Sequence, residues 1–291
     1  MTRVLIRAAF LCLMFALGAC RHATAPPPPT PRPSVSPPSP ATSTTAPAPV
    51  GVTKLLLVRG GEFMMGCLPA DEACEPAEPP SHKVRVKPFW LDEHEVTAAQ
   101  YDQCIDAGVC PQVQVTDLSG MDPSGFAYNS RNPQRRHHPA NGINYFNAKK
   151  YCAWVGKRLP REDEFEFALR GGMANNIYPW GNGPPTSPVG NYSDESLRNK
   201  HLSLAPIPGY RDGFVGTAPY CSFPRNPFNF CDLSGNVWEW CEDPPDAPPH
   251  MHVVRGGSWH NDLPVLRSST RQFFASDGYP HIGFRCARDA Q

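Results

Sequence analysis

The sequence predicts a single α+β domain with little regular secondary structure over residues 51–291. Its first half contains stretches with the hydrophobic periodicity of helices, bounded by capping residues and by residues that end a helix. Gly, Pro, Asn and aromatic residues dominate the second half. Neither a second linker nor an internal repeat interrupts the region. So long a stretch with few regular elements is compact only if disulfides or metal ions hold it.

The N-terminal segment has the pattern of a secretion signal. Arg3 and Arg7 precede an apolar run over residues 8–17, which is too short to cross a bilayer. The run ends in Leu-Gly-Ala-Cys, which resembles the bacterial lipobox. Residues 1–19 are therefore predicted to be a lipoprotein signal peptide, with Cys20 lipidated. The alternative is an ordinary signal peptide followed by an incidental cysteine.

Residues 20–50 are predicted to be a flexible tether. They hold eleven of the 36 prolines and otherwise mostly Ala, Ser and Thr, so they cannot bury a core. A lipid anchor, a spacer and a folded domain predict a bacterial envelope protein on the periplasmic or cell-surface face; secretion followed by release is the alternative. The 27 basic and 27 acidic residues offer no electrostatic argument for nucleic acid as a partner.

Hydrophobic periodicity, together with capping and turn residues, predicts the strands and helices of the domain. Strands are expected at 55–59, 253–255 and 283–286. A further strand is expected at 82–87, where polar and apolar residues alternate. Helices are expected at 97–107 with Thr97 as cap, at 144–155 with an Asn cap, and from Pro160 to Gly171, where acidic residues favour the positive helix start. The second helix is predicted to turn Phe146, Tyr151 and Trp154 inward.

Nine cysteines in residues 51–291 indicate an oxidising compartment and disulfides. The sequence does not determine the pairing. The short-range candidates are Cys67 with Cys74, Cys104 with Cys110, and Cys221 with Cys231, and Cys152 with Cys286 would close a long loop. This pairing would leave Cys241 unpaired. No Cys-x-x-Cys pair occurs, so neither a zinc ribbon nor a thioredoxin motif is supported.

Eight motifs occur in a particular order along the domain. They are GGEFMMG (60–66), PFWLDEHEVTAAQY (88–101), the stretch 138–172, YPWGN (178–182), RDGFVGTAPY (211–220), CDLSGNVWEWCED (231–243), VRGGSWHND (254–262) and HIGFRCARD (281–289). Together they resemble the formylglycine-generating-enzyme, or sulfatase-modifying-factor, family. The resemblance implies a single-domain variant of the C-type lectin fold, stabilised by disulfides and calcium.

The resemblance also implies two structural calcium ions. One site matches Asn191, Tyr192, Asp212 and Phe214, and the other matches Asp232, Gly235, Val237 and Glu239. Calcium prefers six to eight oxygen ligands, many of them backbone carbonyls, and tolerates loop geometry. The residues alone favour an exposed loop with solvated acids, because Asp-x-x-Gly-x-Val-x-Glu does not follow the EF-hand spacing.

The residues that perform the family's founding chemistry are missing. That activity converts a client cysteine to formylglycine with molecular oxygen and relies on two cysteines that bind copper(I), a soft ion suited to thiolates. The first would stand three positions after Ser258, where this chain has Asn261, and the second falls in a gap of the match or near residues 264–266. No cysteine lies between Cys241 and Cys286. We therefore expect no copper and assign no catalytic residue.

What remains is a cleft, expected to be lined by Trp259, His260, Asn261, Asp262 and Arg271. Aromatic and hydrogen-bonding side chains of this kind recognise peptides, proteins or glycans. An unused surface is the alternative.

Histidines suggest two further alternatives. His250, His252 and His260, or the pair at 137–138, would suit a redox metal, but exposed histidines are more often solvated. A Ser258–His260–Asp262 triad is not expected, because residues two apart on a strand share a face without forming one. The prediction is a catalytically inactive binding or scaffold module at the envelope. The alternative is an oxygen-dependent protein-modifying oxidoreductase of the formylglycine-generating class, or another metal-dependent oxidase on the same fold.

Overall fold

The computed structural model describes residues 51–113, 128–196 and 206–290, all within the compact unit 45–291. The predicted signal peptide, the lipidation site Cys20 and the tether lie outside the described residues. Within the described ranges, no helix is both long and apolar enough to cross a membrane.

In the described part of the chain, nine short strands form three small sheets. The strands are β1 (Leu55–Val58), β2 (Gly61–Met65), β3 (His82–Val86), β4 (Phe89–Asp92), β5 (Trp238–Trp240), β6 (Met251–Arg255), β7 (Arg271–Ala275), β8 (Ile282–Gly283) and β9 (Ala287–Asp289). The sheet orders are β1-β4-β9, β2-β3 and β7-β6-β5-β8. All pairs are antiparallel except β5 with β8. The first sheet joins the start of the described chain to its end.

Within the described residues, three α-helices lie where the sequence predicts them: α1 (Ala98–Asp106), α2 (Tyr145–Trp154) and α3 (Glu162–Arg170). Thr97 and Gln100 cap α1 reciprocally, since each side chain accepts the other's backbone N–H. Asn144 caps α2, and α3 ends at Gly171 in the left-handed conformation. Local capping chemistry therefore determines the bounds of all three helices.

Helix α2 faces the core differently from the prediction. Phe146 is 59% exposed, so its predicted inward orientation is wrong. Its neighbour Tyr145 is buried instead and packs edge-on against Trp240 at 5.8 Å between ring centroids. Tyr151 is buried and Trp154 partly buried in the same cluster, as expected. The contact with β5 determines which aromatic residue of the first helical turn is buried.

The predicted strand at 283–286 is also corrected, because only Ile282–Gly283 is a strand there. The backbone after Gly283 forms hydrogen bonds with other segments instead. The Phe284 carbonyl accepts from the Val96 N–H at 2.9 Å, and the Cys286 N–H donates to the Asp92 carboxylate at 3.0 Å. Strand β6 begins two residues before its predicted start, at Met251. Strands β2, β4, β5, β7 and β9 were not predicted.

Four disulfides join the described residues: Cys67–Cys74, Cys104–Cys110, Cys152–Cys286 and Cys221–Cys231. These are the candidate pairs named from the sequence. The Cys152–Cys286 bond ties α2 to a residue 134 positions later. Cys241 is the free cysteine of the described chain and is fully buried. Burial raises the pKa of its thiol well above the ordinary value, so it stays protonated.

Buried arginines hold much of the irregular second half. Arg255 pairs with Glu166 and donates to the carbonyls of Ser269 and Thr270, both at 2.7 Å. Arg267 pairs with Glu78 and with Asp71. A guanidinium satisfies several loop carbonyls and a carboxylate at once, which replaces the hydrogen bonds that a strand or helix would make.

Candidate functional site

The turn after Gly257 is closed by its own side chains. The Asn261 amide oxygen accepts from the Ser258 N–H at 2.9 Å and from the Ser258 hydroxyl at 2.8 Å, and the Asn261 N–H donates to the Ser258 carbonyl at 3.0 Å. The Ser258 hydroxyl also lies 3.0 Å from Nδ1 of His260. Asn261 therefore has a defined structural role at the position where the resemblance expects a thiol.

An aromatic cluster adjoins this turn. The His260 ring meets the His281 ring at 4.5 Å and the Trp259 ring at 5.2 Å between centroids, and Phe274 contacts His281 at 5.7 Å. Burial lowers the pKa of His260 to about 4 and that of His281 to about 3, so both are neutral at pH 7. Nδ1 of His281 is buried and has no hydrogen-bond partner. Sequence reasoning did not single out His281.

The five residues of the predicted cleft do not form one surface. Trp259 is only 3% exposed and belongs to the interior. Arg271 is buried on β7, pairs with Asp246 and Glu162, and lines a groove beside β3 and the segment 242–246. None of residues 259–262 lines that groove. Only His260, Asn261 and Asp262 are partly exposed at the turn itself.

The remaining histidines lie apart from one another. His252 stacks on Tyr145 at 3.7 Å and its Nδ1 lies 2.8 Å from the Asp243 carboxylate. His138 is buried with Nδ1 2.9 Å from the Thr217 hydroxyl, whereas His250 is exposed. Across the described ranges, no group of three or more His, Cys, Asp or Glu side chains at metal-binding distance includes a histidine. The structure thus does not gather the histidines named from the sequence.

The structure brings Asn191, Tyr192, Asp212 and Phe214 together. The Asp212 carboxylate accepts from the backbone N–H of Tyr192 at 2.9 Å and of Phe214 at 2.8 Å. Asn191 donates its Nδ2 to the Gly216 carbonyl at 2.8 Å, but its buried Oδ1 has no partner. Burial, aided by the charge of neighbouring Asp194, raises the pKa of Asp212 to about 7. We call these four residues the Asn191 site.

The second predicted set, the Asp232 site (Asp232, Gly235, Val237 and Glu239), contains a buried carboxylate cluster. Both oxygens of Glu239 accept from Arg285 at 2.7 Å, and Asp232 accepts from the Cys221 N–H at 2.6 Å. Burial raises the pKa of both acids, to about 6 for Asp232. Positive φ values at Asp232 and Gly235 shape the loop that carries them.

Glu95, just before α1, completes this cluster. It is 0% exposed; Oε1 accepts from Asn236 Nδ2 at 3.1 Å, and Oε2 has no partner. Burial raises its pKa well above the ordinary value, and the charges of Asp232 and Glu239 raise it further. Sequence reasoning missed Glu95, although it lies in a matched motif among several acids. Its partner Asn236 is 141 residues away.

The two sites adjoin each other. Asn236 accepts from Asn191 Nδ2 at 3.2 Å through its Oδ1 and donates to Glu95 through its Nδ2. A Cβ at Gly235 would meet the Asn191 carbonyl at 2.4 Å, so only glycine allows this approach. The buried Oδ1 of Asn191 and Oε2 of Glu95 flank Asn236 and, among the described residues, lack the hydrogen-bond partner that buried polar atoms normally have. Such oxygen donors fit the hard calcium ion.

The fold places this chain among mixed α/β proteins with few helices and a C-type-lectin-like arrangement. Treponema denticola variable protein 1 matches at a TM-score of 0.52 with 15% identity, over 81% of this chain and 95% of that one, and supports the fold alone. PvdO from Pseudomonas aeruginosa matches at a TM-score of 0.65 with 29% identity, over 82% and 95% of the two chains.

The model of the FGE-sulfatase family, described as a sulfatase-modifying factor enzyme 1-like domain, matches residues 41–290. The chain therefore belongs to the FGE-sulfatase family. It is 30% identical to the formylglycine-generating enzyme of Streptomyces coelicolor, over 79% of this chain and 88% of that protein. It is 29% identical to the inactive C-alpha-formylglycine-generating enzyme 2 of Mus musculus, over 79% and 84% of the two. The recognition from ordered motifs is confirmed.

Proposed function

We propose that this protein is an envelope-anchored, calcium-stabilised binding or scaffold module of the FGE-sulfatase family that does not form formylglycine. The observation that carries the proposal is the turn at Ser258, where the Asn261 side chain closes the backbone. Its amide cannot replace a thiolate as a ligand for copper(I). The proposal also draws on the mouse relative that is named inactive.

No other thiol in the described part of the chain can take over this role. Eight of its cysteines are in disulfides, and the ninth, Cys241, is buried between Glu239 and the β6 backbone. Burial raises the pKa of this thiol well above its ordinary value, so it is a poor nucleophile at pH 7. A single thiol also falls short of a two-thiolate copper(I) site.

Calcium would act on the scaffold. Oxygens of Asn191 and Asp212 would hold one ion and those of Asp232 and Glu239 the other, with carbonyls from the same loops. Bound calcium would supply positive charge that cross-links segments with few hydrogen bonds of their own. The unpartnered oxygens of Asn191 and Glu95 support this role. Asn236, between them, would keep the two loops in register.

A second candidate function is a metal-dependent oxidase. The neutral imidazoles of His260 and His281 lie 4.5 Å apart between ring centroids beside Asn261, and Nδ1 of His281 is unpartnered. Imidazole nitrogens are common ligands of copper, iron and zinc. The homology to the Streptomyces coelicolor enzyme favours this alternative as well.

The two candidates are separated by metal content and product. The purified chain is incubated with oxygen and a cysteine-containing client peptide, and aldehyde formation and oxygen uptake are measured; metals are quantified in the same sample. We expect calcium without stoichiometric copper or iron, and no aldehyde. A copper-loaded formylglycine-generating enzyme serves as the positive control. Aldehyde formation by this chain would contradict the proposal, and a stoichiometric redox metal lost in His281→Phe would favour the oxidase.

The partner would be a protein, peptide or glycan at the cell envelope. The partly exposed residues at the turn, His260, Asn261 and Asp262, are the proposed contact. Co-purification from detergent-solubilised envelope, with Asp262→Ala as the comparison, tests this. A partner retained equally by wild type and variant would place the contact elsewhere on the domain.

A further inference from the structure

We propose that Asp194 is an additional ligand of the Asn191 site, which then binds its divalent cation with two carboxylates instead of one. This rests on the proposed function, because it presupposes calcium at that site. Asp194 is not among the positions matched to the family's calcium ligands. The inference concerns a residue of this chain and the strength of the site.

Asp194 lies against the same turn as the matched ligands. It is 1% exposed, and its Oδ2 accepts from the Asp212 N–H at 3.0 Å. Its Oδ1 accepts from the Ser196 N–H at 2.8 Å and from the Ser196 hydroxyl. The same hydroxyl lies 3.3 Å from the Phe214 carbonyl. The carboxylate is therefore held against the Asp212 backbone and, through the Ser196 hydroxyl, beside the Phe214 carbonyl expected to bind the ion.

The described residues do not balance the negative charges at this site. Among the described residues, no Lys, Arg or His lies within 4.0 Å of the carboxylate of Asp194 or Asp212, and the nearby Arg211 pairs with Glu195 instead. Two neighbouring carboxylates removed from water are unfavourable without a positive partner. The Asp232 site differs, since Arg285 neutralises Glu239 there. A divalent cation would supply the missing charge at the Asn191 site.

A second, independent observation points to a ligand at this place. Oδ1 of Asn191 is buried and has no hydrogen-bond partner among the described residues, although the next residue, Tyr192, donates its N–H to Asp212. A neutral amide oxygen gains nothing from the neighbouring carboxylates, because all of these groups are acceptors. A divalent cation would satisfy the amide oxygen and both carboxylates at once.

Asp194→Asn tests the assignment, with Glu195→Gln as matched control. Glu195 is the next residue in the chain, is partly exposed and has its own partner in Arg211. Calcium affinity is measured by titration of the full chain, and stoichiometry by metal analysis after dialysis against a weak chelator. We expect Asp194→Asn to lower the calcium affinity of one of the two sites at least about tenfold, because ligand charge tunes calcium affinity. After dialysis, this variant should retain one ion. The control should retain two.

Thermal melting separates ligation from a purely structural role. A ligand variant should lose the calcium-dependent increase in Tm from one site while its Tm in chelator stays unchanged or rises, because one carboxylate charge is removed. A Tm that falls equally with and without calcium would overturn the proposal. If the Asp194→Asn variant folds only in the presence of calcium, the rate of calcium release after addition of chelator is measured. A release rate equal to that of wild type would likewise overturn the proposal.

Failure of the calcium-stabilised function and failure of the Asp194 assignment would give different results. A wild-type chain that binds no calcium would refute the calcium-stabilised function itself. A wild-type chain with two ions and an Asp194→Asn variant with two ions of unchanged affinity would refute only the role of Asp194.

Discussion

Asn261 and Ser258 form a closed unit, in which one amide oxygen accepts from both the backbone N–H and the hydroxyl of the serine at 2.9 and 2.8 Å. The serine is fully buried, and its N–H depends on Asn261, whereas its hydroxyl also lies 3.0 Å from Nδ1 of His260. We predict that Asn261→Ala lowers the free energy of unfolding by about 1–3 kcal/mol, because the buried Ser258 N–H loses its acceptor. Urea denaturation measures the loss, with Asp262→Ala as the neighbouring control. Equal stabilities of the two variants would contradict this role.

Calcium removal should destabilise the domain. An ion bound only to the folded state, at about 100 times its Kd, contributes about 2.7 kcal/mol, which shifts the Tm of a domain of this size by roughly 5–10 °C. We therefore expect Tm to fall by at least this amount on adding chelator and to recover with excess calcium. Magnesium serves as the control cation. An unchanged Tm would exclude structural calcium.

His281 should make stability depend on pH. Burial lowers its pKa to about 3 in the folded protein, whereas the unfolded chain protonates near its ordinary value of 6.5. The unfolded state therefore binds more protons below about pH 6.5, and stability is lost as pH falls toward 4. The expected contribution is about 2 kcal/mol at pH 5. His281→Phe should reduce the stability difference between pH 7 and pH 5, whereas the exposed His250→Gln should not; equal differences would contradict the prediction.

The long-range disulfide should contribute more stability than a short one. Cys152–Cys286 spans 134 positions and Cys104–Cys110 spans 6. In the chain-entropy model a bond that closes a long loop restricts the unfolded chain more. Replacing Cys152 and Cys286 by Ala should cost about 4–5 kcal/mol, and replacing Cys104 and Cys110 clearly less. Urea denaturation compares the two double variants, and the reverse order would show that native packing dominates.

Membrane fractionation tests the anchor. Cys20→Ser removes the thiol that the lipobox-like motif is expected to lipidate, so the variant should move from the membrane fraction to the soluble fraction of cells. Cys12→Ser, within the predicted signal core, is the matched control and should leave the distribution unchanged. Retention of the Cys20→Ser variant on the membrane would point to a different attachment.

Most of the local structure was predictable because its causes are local. Thr97, Asn144 and Gly171 determine helix ends through bonds within a few residues. The strands were harder, because several are two to five residues long and their pairing partners are distant. Phe146 shows the same limit within a helix, since contact with β5 determines which aromatic ring is buried.

The sequence by itself determined the family, through motifs in a fixed order, and the absence of a cysteine at position 261, because residue identities and their order need no coordinates. Only the tertiary structure decided that Trp259 is interior, that Arg271 lines another groove, and that Glu95 and Asp194 lie beside the residues matched to calcium ligands. Glu95 and Asn236 are 141 residues apart in sequence, yet they share a hydrogen bond. Charge balance in a buried site depends on such contacts between distant segments, and a linear pattern does not contain them.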